Sequence, residues 1–194
     1  MQRGWRTDAD KLTFIICLPP ISPTSPLSEH SEQVLAGHDD NGPAMLGDIN
    51  LFLSEEHGTS EEFSPDRGHA GKKKVVGELE LMIARREHQG KGYGRASVLL
   101  FLWYVVIRRE ELVASYCAGA GVEGVLTHLR VKIHQDNRRS IGLFESLLFK
   151  KSDETPNYFG EYDLILEDLD VVRMYGLMKT YGLGECRTLN YIRE

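Results

Sequence analysis

Apolar positions along the chain fall into short runs separated by polar stretches, and the period of each run predicts its element. Leu12–Leu18 is a β-branched apolar run stopped by Pro19 and Pro20, which predicts a buried strand. Met45–Leu53 predicts a second strand. Val75–Ala84 alternates from Gly77 onward: Leu79, Leu81 and Ile83 share one face, and Glu78, Glu80 and Met82 share the other. Gly92–Arg109 predicts a helix whose wide apolar surface implies burial against a sheet. Ala114–Gly124 is small and glycine-rich and predicts a loop. Val125–Ile133 predicts a strand, and Asn137–Leu148 a helix with Asn137 as its N-cap. Tyr162–Leu166 predicts a last strand. Beyond Leu169, the residues Met174, Leu177, Met178 and Tyr181 recur at helical spacing. The order strand, glycine loop, helix, strand, helix, strand predicts an α/β domain, α+β with a mixed sheet, in which the helix after the glycine loop crosses the sheet.

The polar stretches 19–44 and 54–74 are too poor in apolar residues to bury a core, so they read as mobile loops within a domain spanning 1–166. Residues 167–194 read as an acidic, partly helical C-terminal tail.

Composition sets the class. At 194 residues, 41% hydrophobic and 27% charged, the chain suits one globular domain. The net charge of −6 disfavours a duplex nucleic-acid partner. The charge is uneven, however. Residues 71–151 carry 15 basic against 8 acidic side chains, while the segments on either side are acidic. A basic middle in an acidic chain suggests a local polyanion site such as a phosphorylated cofactor. Cys17, Cys117 and Cys186 lie far apart without metal-ligand spacing, so no metal is expected and a reducing compartment fits. The longest apolar run, Ala96–Ile107, is bounded by Arg95 and Arg108 and is too short for a membrane helix. A cytoplasmic protein is expected, with the nucleus also open, and no membrane partner.

The segment with most chemistry is Gln89-Gly90-Lys91-Gly92-Tyr93-Gly94-Arg95, between a predicted strand and a predicted helix. Glycines let consecutive backbone amides point at one anion, and a helix N-terminus behind them adds its dipole. Arg85, Arg86, Lys91 and Arg95 add charge nearby. A Walker loop has no match, because Gly71-Lys72 is followed by Lys73 rather than a hydroxyl. A dinucleotide fingerprint fails too, because Arg95 stands where its third glycine belongs.

The spacing instead resembles the acetyl-CoA signature of the GNAT N-acetyltransferases, Arg/Gln-x-x-Gly-x-Gly/Ala. The strand Val125–Ile133 and then Asn137-x-x-Ser140 with Leu143, Phe144 and Phe149 resemble the family's next elements. Segments Trp5–Lys11, Gly47–Leu53 and Gly77–Ala84 resemble the N-acetyltransferase 9-like branch. The resemblance covers roughly Met1 to Leu166, without the two polar loops and the glycine-rich insertion.

The resemblance implies that acetyl-CoA is the co-substrate and that backbone amides of Gln89, Gly90, Lys91, Gly92, Tyr93, Gly94 and Arg95 hold its pyrophosphate. It implies that the backbone of Leu81, Met82 and Ile83 pairs with pantetheine beside a diverging strand, and that Asn137 and Ser140 lie near the pantetheine. Asn137 has a second reading as a plain helix cap. The reaction implied is attack of a protein or peptide amine on the thioester, with tubulin among the acceptors of this branch. Glu80 and Glu78 are the candidate bases, and both also read as solvent-facing or structurally paired. The family often has a tyrosine where Phe144 stands, so either Tyr104, Tyr158, His134 or water supplies the leaving thiolate's proton, or the thiolate leaves unaided. The family fold begins with a strand and helices before the segment matched by Trp5–Leu18. The resemblance therefore implies a fold lacking those elements, with an unpaired, partly apolar first strand. An alternative follows: a catalytically impaired module that binds CoA or a protein partner.

Overall fold

The computed structural model describes residues 8–19, 33–56, 71–184, 186 and 188–193. In chain order they form β1 (Lys11–Cys17), β2 (Gln33–Leu35), β3 (Met45–Glu55), β4 (Lys73–Ile83), α1 (Tyr93–Cys117), β5 (Gly124–His134), α2 (Arg138–Ser146), β6 (Lys150–Lys151), β7 (Glu161–Leu166), α3 (Val171–Thr180) and β8 (Asn190–Ile192). Six strands make one mixed sheet in the order β1-β3-β4-β5-β7-β6, and β2 pairs with β8 in a separate two-stranded ribbon. The pair β4–β5 is parallel, and the other pairs of the large sheet are antiparallel. The mixed α/β architecture expected from the element order is observed.

Alternation sorts the sheet into two unlike faces. Ile49, Leu51, Leu79, Leu129, Val131, Ile133, Leu164 and Leu166 point to a core shared with α1, α2 and α3. Burying each such side chain contributes about 1.5–3 kcal/mol before the entropy of ordering is set against it. The other face presents Thr13 and Ile15 of β1, Asp48 and Asn50 of β3, Glu78, Glu80 and Met82 of β4, and Arg130 and Lys132 of β5. Among the described residues no helix covers it. Ile15 and Met82 are each more than half exposed there. Strand β1 lies at the sheet edge, where the first strand was expected, but none of its residues is buried, unlike the buried strand its apolar run predicted, because an edge strand has a neighbour on one side only.

Several boundaries differ from those read in the sequence. Helix α1 continues eight residues past Arg109, to Cys117. The polar run Arg108–Glu111 looked like an end, but it is the outward turn of a continuous helix, with Arg108 bridging Glu111 at 2.8 Å. Val113 and Cys117 resume the buried stripe beyond it. Residues 167–194, set apart in sequence as a tail, contribute Leu169, Met174 and Met178 to the main core, so α3 packs as part of the domain. Parts of the two polar loops, 20–32 and 57–70, lie outside the described residues, as do Trp5, Arg6 and Thr7. Within the remainder, β2 and the turns to Ala44 are ordered by Asn41, Asp39 and Asp40 accepting backbone N–H groups.

The feature that positions the site is a divergence. Strands β4 and β5 pair from Lys73↔Gly124 only as far as Glu78↔Arg130. Beyond that rung, Leu79–Ile83 pairs only with β3 and Val131–His134 only with β7. A wedge therefore opens between two strands that both continue, and along it the edge of β4 beyond Glu78 is paired to no strand among the described residues.

Candidate functional site

The glycine loop sits directly beyond the open end of β4. A single 3₁₀ turn, Arg86–His88, leads into it, and α1 leaves it. Gln89 Nε2 donates to Ile83 O at 2.8 Å, which ties the start of the loop back to the last residue of the strand. Gly90 and Gly92 have φ of 72° and 92°. A β-carbon at either would meet no neighbour within 4 Å, so glycine is needed there for its left-handed backbone and leaves the surface bare for a ligand. Gly94 differs. A β-carbon there would touch Leu81, Leu143 and Ile83, so Gly94 is where helix, strand and α2 pack together.

Gly92 is the N-cap of α1 and supplies no capping side chain, and the first turn holds no acidic residue. Its amides are therefore open to an anion, with the dipole of a 25-residue helix behind them. Lys91 and Arg95 are exposed beside them. Arg95 lies over the ring of Tyr181, 4.6 Å from its centroid. Arg85 points the other way, donating to Gly42 O at 2.5 Å. His88 is half buried, its ring 5.6 Å from that of Tyr93, and its Nδ1 is buried with no hydrogen-bond partner among the described residues.

The two candidate carboxylates share the open face but have different surroundings. Glu78 stands on the last paired rung, and its Oε2 accepts from Arg130 Nε at 2.9 Å and Lys132 Nζ at 3.0 Å. It is a paired group at the apex of the wedge. Glu80 is exposed, sits two residues further into the diverging segment, and has no ion pair among the described residues. Opposite Glu80 on β3, Asn50 is buried and accepts from Thr13 Oγ1 at 2.7 Å while donating to Asp48 Oδ2 at 2.7 Å. Sequence reading overlooked Arg130, Lys132 and Asn50. The alternation Arg130-x-Lys132 on a strand beside the glutamates was the available signal.

Asn137 caps α2 through a bond from Ser140 N to its Oδ1 at 3.2 Å, just past the end of β5. The cap reading is observed, and the side-chain amide nitrogen remains for other use. Phe144 is buried edge-on against Phe149 at 5.1 Å and offers no proton. Of the other proton carriers considered, Tyr104 packs on Phe14 at the β1 edge, away from β5. Tyr158 is almost fully exposed in the β6–β7 connection. His134, exposed at the end of β5, lies 3.5 Å from Asp136. Among the described residues no group of side chains suits a metal ion, and no helix is long and apolar enough to cross a membrane.

A cavity of about 900 Å³ lies at the other end of the sheet, between the starts of β4 and β5 and the end of α1. It mixes Lys72, Lys74 and Arg109 with Glu110, Glu123 and Glu167, and none of the sequence-predicted residues lines it.

No family model matches the chain. An N-acetyltransferase 9-like protein of Schizosaccharomyces pombe is 36% identical over 168 residues, covering 78% of this chain and 68% of that protein. A Drosophila melanogaster protein named alpha/beta-tubulin-N-acetyltransferase 9 is 33% identical over 77% of this chain and 55% of its own length. The human protein of that name is 32% identical over 86% and 60%. The chain thus spans between just over half and about two thirds of the length of these relatives. Among solved structures, Arabidopsis thaliana NAA60 in complex with a bisubstrate analogue is 10% identical, with a TM-score of 0.46 over 80% of this chain and 75% of that one.

Proposed function

We propose an activity for a chain that belongs to the N-acetyltransferase 9-like family: transfer of the acetyl group of acetyl-CoA to an amine of a protein or peptide. The observation that carries the reading is the wedge between β4 and β5 beside an uncapped helix N-terminus. One side offers free strand backbone to an extended pantetheine, and the adjoining loop offers amides and cations to the pyrophosphate.

In this reading the amides of Gly90 to Arg95, with Lys91, hold the diphosphate. The wedge-facing backbone of Leu81 to Ile83 holds the pantetheine in the manner of an added strand. Asn137 stands across the wedge at the start of α2. Glu80, the unpaired carboxylate on the open face, takes the proton of the acceptor ammonium directly or through water. The free amine attacks the thioester carbonyl carbon, the C–S bond breaks, and the nitrogen's surplus proton passes through water to the departing thiolate, which leaves CoA as the thiol and the acceptor as the amide. Glu78 keeps its two cationic partners and holds the apex. The names of the Drosophila and human relatives make tubulin the first acceptor to try.

A second reading, a module that binds CoA without turnover, is favoured by Phe144, which supplies no proton where the family often has tyrosine.

Calorimetric titration with acetyl-CoA tests the shared core of both readings. Saturable binding is expected for the chain, and none for Gly92→Asp, which sets a carboxylate against the diphosphate. Equal affinity in the two would remove the cradle assignment. Product formation with tubulin and tubulin peptides as acceptors then separates enzyme from module.

A further inference from the structure

Arg95 breaks a local rule of helix electrostatics. It occupies the first turn of α1, where the positive end of the dipole disfavours a cation, and no carboxylate of the described residues pairs with it. What holds it is an aromatic face from the far end of the sequence. The guanidinium lies 4.6 Å from the ring centroid of Tyr181, the C-cap of α3. That ring is itself fixed at two points. Tyr181 OH donates to Ser146 O at 3.0 Å, at the end of α2, and Tyr181 N donates to Leu177 O at 3.1 Å. The ring also packs against the core that α3 joins through Met174 and Met178. Tyr181 thus connects three elements at one corner of the glycine loop: the start of α1, the end of α2 and the end of α3.

We infer that Tyr181 is a positioning residue that holds the Arg95 guanidinium at the rim of the glycine loop for a phosphate group of acetyl-CoA. The inference rests on the cofactor site proposed above. A planar cation on an aromatic face keeps its N–H edge free for an anion while its rotamers are restricted. A carboxylate partner would restrict it equally but would compete with the phosphate. The arrangement also gives α3 a function: the helix that closes the core presents its C-cap to the proposed cofactor site.

The test is a double-mutant cycle read by acetyl-CoA affinity, with Tyr181→Leu, Arg95→Gln and the pair, together with Tyr181→Phe. A cation–π contact at a partly exposed site predicts that Tyr181→Leu weakens binding about three- to fivefold. Tyr181→Phe keeps the face and should stay within twofold of the wild type. In the Arg95→Gln background, Tyr181→Leu should have no further effect, and loss of Arg95 should flatten the salt dependence of affinity. Dephospho-acetyl-CoA locates the phosphate. If the effect of both single variants disappears with it, the contact is to the 3′-phosphate; if it persists, the contact is to the diphosphate. An equal loss from Tyr181→Leu in both backgrounds would show that the ring acts only through the fold, and unchanged affinity in the folded variant would also overturn the inference. Tyr181→Met, which keeps apolar bulk without the aromatic face, gives the same readout if Tyr181→Leu does not fold. Failure of the wild-type chain to bind acetyl-CoA at all would instead overturn the proposed function.

Discussion

Glu78 and Arg130 face one another across the last rung at which β4 and β5 pair, with Glu78 Oε2 2.9 Å from Arg130 Nε. The same oxygen reaches Lys132, two residues into the diverging part of β5, at 3.0 Å. One carboxylate therefore joins the end of the paired region to the start of the split. Backbone hydrogen bonds stop at this point, and a charged side chain takes over the connection between the strands.

This separates the two glutamates by experiment. Glu78→Gln leaves Arg130 and Lys132 without their shared partner in a setting where Glu78 is one-fifth exposed. The expected cost is about 1–2 kcal/mol of stability, or roughly 2–8 °C in Tm for a chain of this size. It should also raise KM for acetyl-CoA, because the apex it holds borders the proposed pantetheine site. Glu80→Gln removes an exposed carboxylate with no ion pair. It should leave Tm within a degree or so and the acetyl-CoA Kd unchanged, while lowering kcat by about 10²-fold or more as expected for a general base. Thermal unfolding and steady-state kinetics on both variants check this. A large kcat loss confined to Glu78→Gln would exchange the roles.

Gln89 contributes through its side chain as well as its backbone. Its side-chain amide donates to Ile83 O at 2.8 Å, closing the loop proposed to present amides to the diphosphate. Gln89→Ala should weaken acetyl-CoA binding several-fold through lost preorganisation while leaving kcat at saturation nearly unchanged. Gln89→Glu removes the donor and adds a like charge near the phosphates, so it should be worse than alanine. Titration calorimetry gives the order. Alanine weaker than glutamate would show that the side chain does not act as a donor to the strand end.

Much of this arrangement was legible from residue pattern. The alternation Leu79, Leu81, Ile83 against Glu78, Glu80, Met82 set the face of β4, and the glycine spacing from Gly90 to Gly94 set the loop. What stayed hidden depends on non-local partners. The pairing of Glu78 with Arg130 and Lys132 requires the register of a parallel pair joined by a crossover helix, and nothing local encodes that register. The extension of α1 through Arg108–Glu111 was masked by a polar turn that faces solvent. The contact of Tyr181 with Arg95 joins residues that meet only once α3 has packed.

Two glycines should respond to the same substitution with opposite signs. At Gly47 of β3, a β-carbon would fall 1.8 Å from Met82 O, a backbone atom of the neighbouring strand that cannot yield without breaking the sheet. Gly47→Ala should cost about 3 kcal/mol or more and disturb the end of β4 that borders the wedge. At Gly142, inside α2, an added β-carbon meets nothing within 4 Å. Gly142→Ala should stabilise the chain by about 0.5–1 kcal/mol through helix propensity. Denaturant unfolding of the two variants provides the comparison, and a tolerated Gly47→Ala would mean that the two strands lie further apart than described.

His128 gives the fold a pH dependence of defined sign. It lies on the same side of β5 as Arg130, half buried, with its Nδ1 3.0 Å from Thr127 Oγ1. Burial is the main cause that pushes its pKa below the ordinary 6.5. Arg130 pushes the same way, while the carboxylates of Glu56 and Glu167 oppose it. The unfolded chain therefore takes up this proton at a higher pH than the folded chain. Stability associated with neutral His128 is fully present above the unfolded value and is lost as pH falls through the folded one. His128→Gln keeps a polar group but removes the titration. Denaturant unfolding of both chains between pH 8 and pH 5 should give a steeper decline for the wild type, with the difference between them opening below about pH 6.5. Other groups that titrate in this range contribute to both curves and cancel in the difference. Parallel curves would show that His128 meets enough solvent or carboxylate charge in the folded chain to titrate as it does in the unfolded one.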